Sequence, residues 1–307
     1  MERIIIDTDL GIDDTIGIAL ALGANNLQVE GITLVSSIGE IEEAMIRADQ
    51  VLTGCDAQGI NFYRGANYPL EKDIEKVKTF KEKDLERFEG LVQSGKKAEY
   101  EVGVDYLIRM AQENPGEITL VTMGALTNVA IALQKDEAFA KNIKRLVIGG
   151  GSQQGGNCTP VAEFNFWADP HAAKRVFESG IEMMMIGLDT TRQVDMTKAY
   201  VDAFASQENK EAQLISQLIG VYKEKTEVEA KMARGLFDAV VPIASLIQPE
   251  VLETEPSHVC IEVKGGAKGQ SIVDKHAVWN NGRCNCQVAC KIDQEVFEKM
   301  ISERFFK

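Results

Sequence analysis

The sequence predicts an α/β fold, a single doubly wound domain on a mostly parallel sheet, and three observations carry that expectation. β-branched runs alternate with apolar helical stretches along much of the chain, the pattern of repeated β-loop-α units. The expected strands close on glycine or acidic loops, where open parallel sheets place their ligands. No linker, internal repeat or low-complexity segment divides the chain, so residues 1–307 are expected to form one domain.

The first expected strand is Arg3 to Asp7, followed by an apolar helix over Thr15 to Leu22. Gln28 to Val35 with Ile41 to Leu52, and Glu117 to Thr122 with Leu126 to Leu133, repeat the strand-helix pair. Lys144 to Ile148 and Ile181 to Ile186 add two buried strands, closed by Gly149-Gly150-Gly151 and by Gly187. Between Leu70 and Glu101 the chain is rich in Lys and Glu, and a solvated insertion outside the sheet is expected there. Tyr200 to Leu246 reads as helices, and Val259 to Val263, Gln270 to Val273 and Gln287 to Ile292 as short strands before a final helix.

Bulk properties narrow the partners. A net charge of −14, from 47 acidic and 33 basic residues, lacks the cationic footprint that a phosphate backbone requires, which argues against nucleic acid and anionic membrane. Met1-Glu2-Arg3 leads directly into a strand and no apolar stretch reaches spanning length, so no secretory signal and no membrane segment are expected. The cysteines, Cys55, Cys158, Cys260, Cys284, Cys286 and Cys290, are expected to be reduced thiols in a cytoplasm. Cys284, Cys286 and Cys290 lack the paired spacing of zinc clusters and are expected as buried thiols along one sheet face.

The chemistry concentrates in Asp7-Thr8-Asp9-Leu10-Gly11-Ile12-Asp13-Asp14. Aspartates crowded this closely repel unless a cation, hydrogen-bond donors or protons offset them. Hard oxygen ligands suit calcium or magnesium, and Gly11 is expected to permit the tight turn that folds the second acid pair back on the first. Capping of the following helix accounts for Asp13 or Asp14 but leaves Asp7 and Asp9 for a metal or substrate site.

That octapeptide resembles the N-terminal DxDxGxDD signature of the inosine-uridine nucleoside hydrolases. Thr119-Leu120-Val121-Thr122-Met123-Gly124-Ala125-Leu126-Thr127-Asn128 is similar to the family's second segment. Gly156-Asn157-Cys158-Thr159-Pro160-Val161-Ala162-Glu163-Phe164-Asn165, after its triple glycine, resembles the third. The resemblance implies a Rossmann-like, homo-oligomeric hydrolase, dimer or tetramer, that binds calcium and cleaves the N-glycosidic bond of a ribonucleoside or related riboside in purine or pyrimidine salvage. By position it implies metal ligation by Asp9, Asp14, Asp238 and the Met123 carbonyl, where relatives often carry Thr. It also implies ribose contacts from Asp13, Asn157, Glu163, Asn165 and Asp238, with Asp9 as general base and Asp7 supporting the loop. The residues suit that chemistry. Loss of a base passes through an oxocarbenium-like state, which needs negative charge near the sugar, a positioned water and a base to take its proton.

Each polar residue also has a plainer role. Asn157 lies in a glycine-rich loop where Asn serves turn geometry. Glu163 and Asn165 flank Phe164 in an apolar, strand-like stretch from Val161 to Trp167, where polar groups need partners. Asp238, before the apolar run Ala239-Val240-Val241, also reads as a helix cap.

The chain departs from the family where the base should sit. Many relatives place a His before the metal-binding Asp to protonate the leaving base, and here that residue is Phe237. Ser36-Ser37-Ile38-Gly39-Glu40 stands where relatives usually offer an Asn, and Phe88-Glu89-Gly90-Leu91-Val92 lacks the His-Gly pair of the insertion. His171, His258 and His276 are expected in surface or capping roles. Trp167 and Tyr222 are candidates to stack on a base, and Glu227, Lys231 and Arg234 are candidate polar contacts for it. Two competing readings follow: a riboside-binding protein that has lost turnover, and a magnesium phosphohydrolase using the DxD at Asp7 and Asp9. The Asp13-Asp14 pair and the Gly156 to Asn165 segment have no task in the phosphohydrolase.

Overall fold

The computed structural model describes residues 1–37, 39–71, 86–220, 235–275 and 277–306. Nine strands form one sheet: β1 (Glu2–Thr8), β2 (Leu27–Leu34), β3 (Phe62–Arg64), β4 (Ile118–Thr122), β5 (Arg145–Gly149), β6 (Met183–Ile186), β7 (Leu252–Ile261), β8 (Ser271–Asp274) and β9 (Cys286–Ile292). Their order is β3-β2-β1-β4-β5-β6-β9-β7-β8. Every neighbouring pair from β3 to β9 is parallel, and β7 pairs antiparallel with both β9 and β8. The mostly parallel α/β sheet is therefore as the sequence predicts.

The helices of the described residues are α1 (Ile12–Leu22), α2 (Ile41–Gly54), α3 (Gly103–Glu113), α4 (Thr127–Lys135), α5 (Phe139–Asn142), α6 (Phe164–Ala168), α7 (Pro170–Phe177), α8 (Leu188–Thr191), α9 (Lys198–Ala205), α10 (Lys210–Ile219), α11 (Val240–Ile247) and α12 (Gln294–Phe305). They cover both faces. Alternate residues of β1 point to opposite sides, so Ile4 and Ile6 join a core with α1, α2, α10, α11 and α12. Ile5 joins a second core with α3, α4 and α7. Burial on both faces is why the central strands are continuous apolar runs.

Several expectations are corrected. Helix α1 begins at Ile12, so Asp13 and Asp14 lie inside its first turn rather than before it. Val161 to Trp167 is not strand-like: Glu163 accepts the amides of Asn165 and Phe166 and so starts α6. Strand β7 begins at Leu252 rather than Val259, because Glu253 and Glu255 suit an antiparallel strand with a wet face. The three cysteines form no buried stripe. Cys284 is exposed ahead of β9, Cys286 is buried, and Cys290 is partly buried where the β7–β9 register skips a residue.

Residues 72–85 of the charged insertion lie outside the described residues, and the rest is not simply solvated. Phe88 is buried, its carbonyl accepts from Gln50 Nε2 at 3.0 Å, and Asp49 of α2 accepts from Ser94 Oγ at 2.5 Å and the Gly95 amide at 2.8 Å.

Candidate active site

Strands β1, β4, β5 and β6 run parallel, so the loops leaving Thr8, Thr122, Gly149 and Ile186 meet at one edge of the sheet. A cavity of about 20 Å³ opens there, bounded by Asp13, Met123, Glu163, Asn165, Thr191 and Asp238 among others. That is room for roughly one water-sized sphere. Asp13, Met123, Glu163, Asn165 and Asp238 come from distant parts of the sequence, and the fold brings all five to this cavity.

The β1–α1 loop is fixed by its own polar groups. Thr8 Oγ1 donates to Asp14 Oδ1 at 2.5 Å and accepts the Leu10 amide at 2.9 Å, while the Gly11 amide donates to Asp14 Oδ2 at 3.0 Å. Asp14 is thus folded back over its own helix start. Gly11 does not make the turn: its φ of −75° and ψ of −173° are open to any residue. The left-handed residue is Leu10, at φ 58°, a conformation that side chains other than Gly, Asn and Asp adopt only when their surroundings impose it. The surroundings include Arg47 of α2, whose Nε donates to the Leu10 carbonyl and Nη2 to the Asp9 carbonyl, each at 3.0 Å.

Asp9 and Asp14 are each 1% exposed and are not among the residues that line this cavity, and Asp7 is fully buried. Asp7 Oδ1 accepts from Thr33 Oγ1 at 2.5 Å and Asn128 Nδ2 at 2.7 Å. Burial pushes its carboxyl up to about 7, the two donors oppose that shift, and the Asp9 charge adds to it.

Glu163 and Asn165 make the opposite wall. Glu163 Oε2 accepts the Gly151 amide at 2.9 Å and the Phe166 amide at 3.2 Å, and Oε1 accepts the Asn165 amide at 2.9 Å. The triple glycine makes this approach possible. A Cβ at Gly150 would stand 2.9 Å from the Phe166 ring and 3.2 Å from Glu163 Oε2. Asn165 Nδ2 ties together the ends of two strands, donating to the Met123 carbonyl at 3.1 Å and the Gly149 carbonyl at 2.9 Å. Asn157 is partly buried, outside the cavity lining, and its Oδ1 accepts the Phe164 amide at 2.9 Å.

Asp238 stands in the turn before α11, and Thr191 Oγ1 donates to its Oδ1 at 2.5 Å. The Phe237 ring faces away into the core, packed edge-on against Tyr200 at 5.7 Å and Phe297 at 5.1 Å. Ser37 Oγ accepts the Ala125 amide at 3.2 Å and Ser36 Oγ donates to the Gly39 carbonyl at 2.7 Å. His171 pairs with Glu71 at 3.3 Å and His258 Nδ1 lies 3.0 Å from Asn280 Nδ2, so neither borders the cavity. Trp167 packs against Gly269. Tyr222, Glu227, Lys231, Arg234, Ile38 and His276 lie outside the described residues.

Thr33, Arg47 and Thr191 are not among the residues expected from the sequence. Arg47 left a legible signal: it falls between Ala44, Ala48 and Val51 on the apolar stripe of α2, where a charge needs a partner. Thr33 and Thr191 left none, since a buried hydroxyl in a strand or a short helix is ordinary.

The polar side chains lining the cavity, Asp13, Glu163, Asn165, Thr191 and Asp238, all offer oxygen, the ligand that hard divalent cations take. Among the described residues no three His, Cys, Asp or Glu side chains already converge as a metal cluster. A buried acceptor nevertheless remains in the lining: Asn165 Oδ1 has no hydrogen-bond partner among the described residues. Carboxylates at its side, the Met123 carbonyl and this spare amide oxygen fit such an ion.

Comparison with known proteins identifies the architecture. The inosine-uridine preferring nucleoside hydrolase family matches residues 4–299. The non-specific ribonucleoside hydrolase RihC of Escherichia fergusonii is 33% identical over 306 residues, 98% of this chain and 97% of that protein. Among solved structures, a plant nucleoside hydrolase superposes with a TM-score of 0.91 at 26% identity, over 99% of each chain. The purine-preferring ribonucleoside hydrolase of Gardnerella vaginalis gives 0.88 at 26% identity, over 99% of this chain and 98% of that one.

Proposed function

This chain belongs to the inosine-uridine preferring nucleoside hydrolase family, enzymes that hydrolyse nucleosides, and on that premise we propose how its own residues perform the reaction. The observation that carries the reading is the meeting of Asp13, Asp238, Glu163, Asn165 and the Met123 carbonyl at the carboxyl ends of parallel strands. Asp13, Glu163, Asn165 and Asp238 grip the ribose hydroxyls, with Asn157 at the margin. Asp9 takes the proton of the attacking water, a role worth about 10²- to 10⁴-fold. The negative charge of this wall favours the oxocarbenium-like state as the base departs. Hydrogen bonds from Gly151, Thr8 and Thr191 hold the carboxylates before substrate arrives, so little binding energy is needed to orient them.

Asp9, Asp14, Asp238 and the Met123 carbonyl would hold calcium, which when bound supplies positive charge and mild acidification of water. The cavity lining among the described residues carries no imidazole, so activation of the leaving group falls to another donor or to the base itself. We also read residues 1–307 as one domain of a cytoplasmic homodimer or homotetramer, a reading that rests on the family and on one sheet running from Glu2 to Ile292.

Released reducing sugar, measured across purine and pyrimidine ribonucleosides and p-nitrophenyl riboside with calcium or with chelator, tests this. Ribose release that chelator abolishes is expected, with the nitrophenyl riboside turned over fastest because its leaving group needs no proton. No ribose from any riboside at high enzyme overturns the hydrolase mechanism, and equal rates in chelator overturn the role of the ion.

A further inference from the structure

The catalytic loop holds an unusual conformation and a buried cation sits directly behind it. Leu10 is left-handed between Asp9 and Gly11, and Arg47, 3% exposed, donates to the two consecutive carbonyls that flank the Asp9–Leu10 turn. We propose that Arg47 is a positioning residue for Asp9, a guanidinium clamp on α2 that sets the turn at Leu10 and balances the charge of the aspartate loop before ion or substrate binds. The proposal deepens the assignment of Asp9 as base and rests on it.

The chemistry of the side chain supports this. A planar fork binds two acceptors at fixed spacing, which an ammonium cannot reproduce. Both carbonyls are thereby turned toward α2. Burial lowers the Arg47 pKa, and the charges of Asp9, Glu43 and Asp14 oppose that shift, so the cation is held by the acids it faces. An uncompensated buried charge is costly, and a helix needing only to pack would be better served by an aliphatic residue. The guanidinium lies 5.9 Å from the Phe88 ring centre and also borders an open cleft of about 590 Å³ with Glu43, Gln50, Glu86 and Gln93. A small cation can therefore reach its place from solvent.

Arg47→Ala and Arg47→Lys, in the full chain, test the clamp. Arg47→Ala is expected to lower kcat about 10²-fold with KM within about threefold, as a displaced catalytic group does. Guanidinium at low millimolar concentration restores part of that loss, and Arg47→Lys falls between wild type and Ala. Hydrogen exchange of the peptide covering residues 8–14 accelerates in Arg47→Ala while the β5 and α4 peptides keep their protection. Unchanged kcat, or unchanged exchange in residues 8–14, overturns the proposal, as does activity that Lys and guanidinium both fail to recover in a folded protein. Should the wild type release no ribose, the hydrolase assignment fails, and the exchange result still decides whether Arg47 holds the loop.

Discussion

The start of α1 and the turn before α11 each bring an aspartate to one cavity, Asp13 from the first and Asp238 from the second, but different forces hold them. Behind Asp13, buried polar groups cross-bond: Thr8 to Asp14, Gly11 to Asp14, Arg47 to two carbonyls, Thr33 and Asn128 to Asp7. Behind Asp238, aromatic packing does the work, with Phe237 wedged between Tyr200 and Phe297 and a hydrogen bond from Thr191 on the carboxylate. A polar network fixes directions and charge and tolerates little change, since each orphaned group costs about 1–3 kcal/mol. Apolar packing constrains volume and polarity but accepts another apolar residue of similar size. On the proposed reading the sugar-facing side keeps the acids that the resemblance implies, while Phe237, where the resemblance implies a His, is part of the core.

The sharpest way to break this contrast is inside the polar network. Asp9→Asn keeps the side-chain shape and removes the charge, and kcat for ribose release is expected to fall by about 10³-fold. Its melting temperature should stay within a few degrees of wild type. Near-normal turnover would remove Asp9 as the base and leave the network a purely structural device. The opposite region predicts the opposite behaviour. Phe237→His introduces the residue that the resemblance implies at this position, but places an imidazole among Tyr200, Phe297 and the surrounding core. A loss of about 2–4 kcal/mol of stability by denaturant unfolding is expected, with no gain in kcat on inosine. A gain would mean that this turn can swing its side chain into the site, and the division between the two regions would fall.

How far the sequence could be read follows the same division. The parallel sheet was legible because β1, β4 and β5 are buried on both faces and so written as unbroken apolar runs. The acids at the end of β1 were legible because four carboxylates together require a reason. Glycine misled where it mattered: the turn falls on Leu10, since Thr8 and Arg47 impose it, and a tertiary clamp from a helix 37 residues away leaves no local mark. Glu163 was legible as a polar residue needing partners, but its role as cap of α6 required the triple glycine to fold beneath it. Strand β3 and helix α3 went unread, the first because three residues carry no periodicity and the second because it opens on Gly103.

The smallest expected effect probes the deepest group of the network. Asp7 has its ordinary value of 3.8 when unfolded and about 7 in the fold, where burial disfavours its charge. Between those two values the folded chain keeps a proton that the unfolded chain has released, so this group makes stability fall as pH rises from about 4 to about 7, with no further change above. In chelator, raising the pH from 5 to 8 should therefore lower the wild-type melting temperature more than that of Asp7→Asn, by roughly 2–6 °C. The variant carries every other titrating group, so the difference isolates Asp7. Parallel shifts in the two proteins would show that Thr33 and Asn128, with the neighbouring Arg47, neutralise the loop well enough for Asp7 to ionise normally. In that case donors rather than a retained proton balance the aspartates, and the polar network is tighter still than its burial implies.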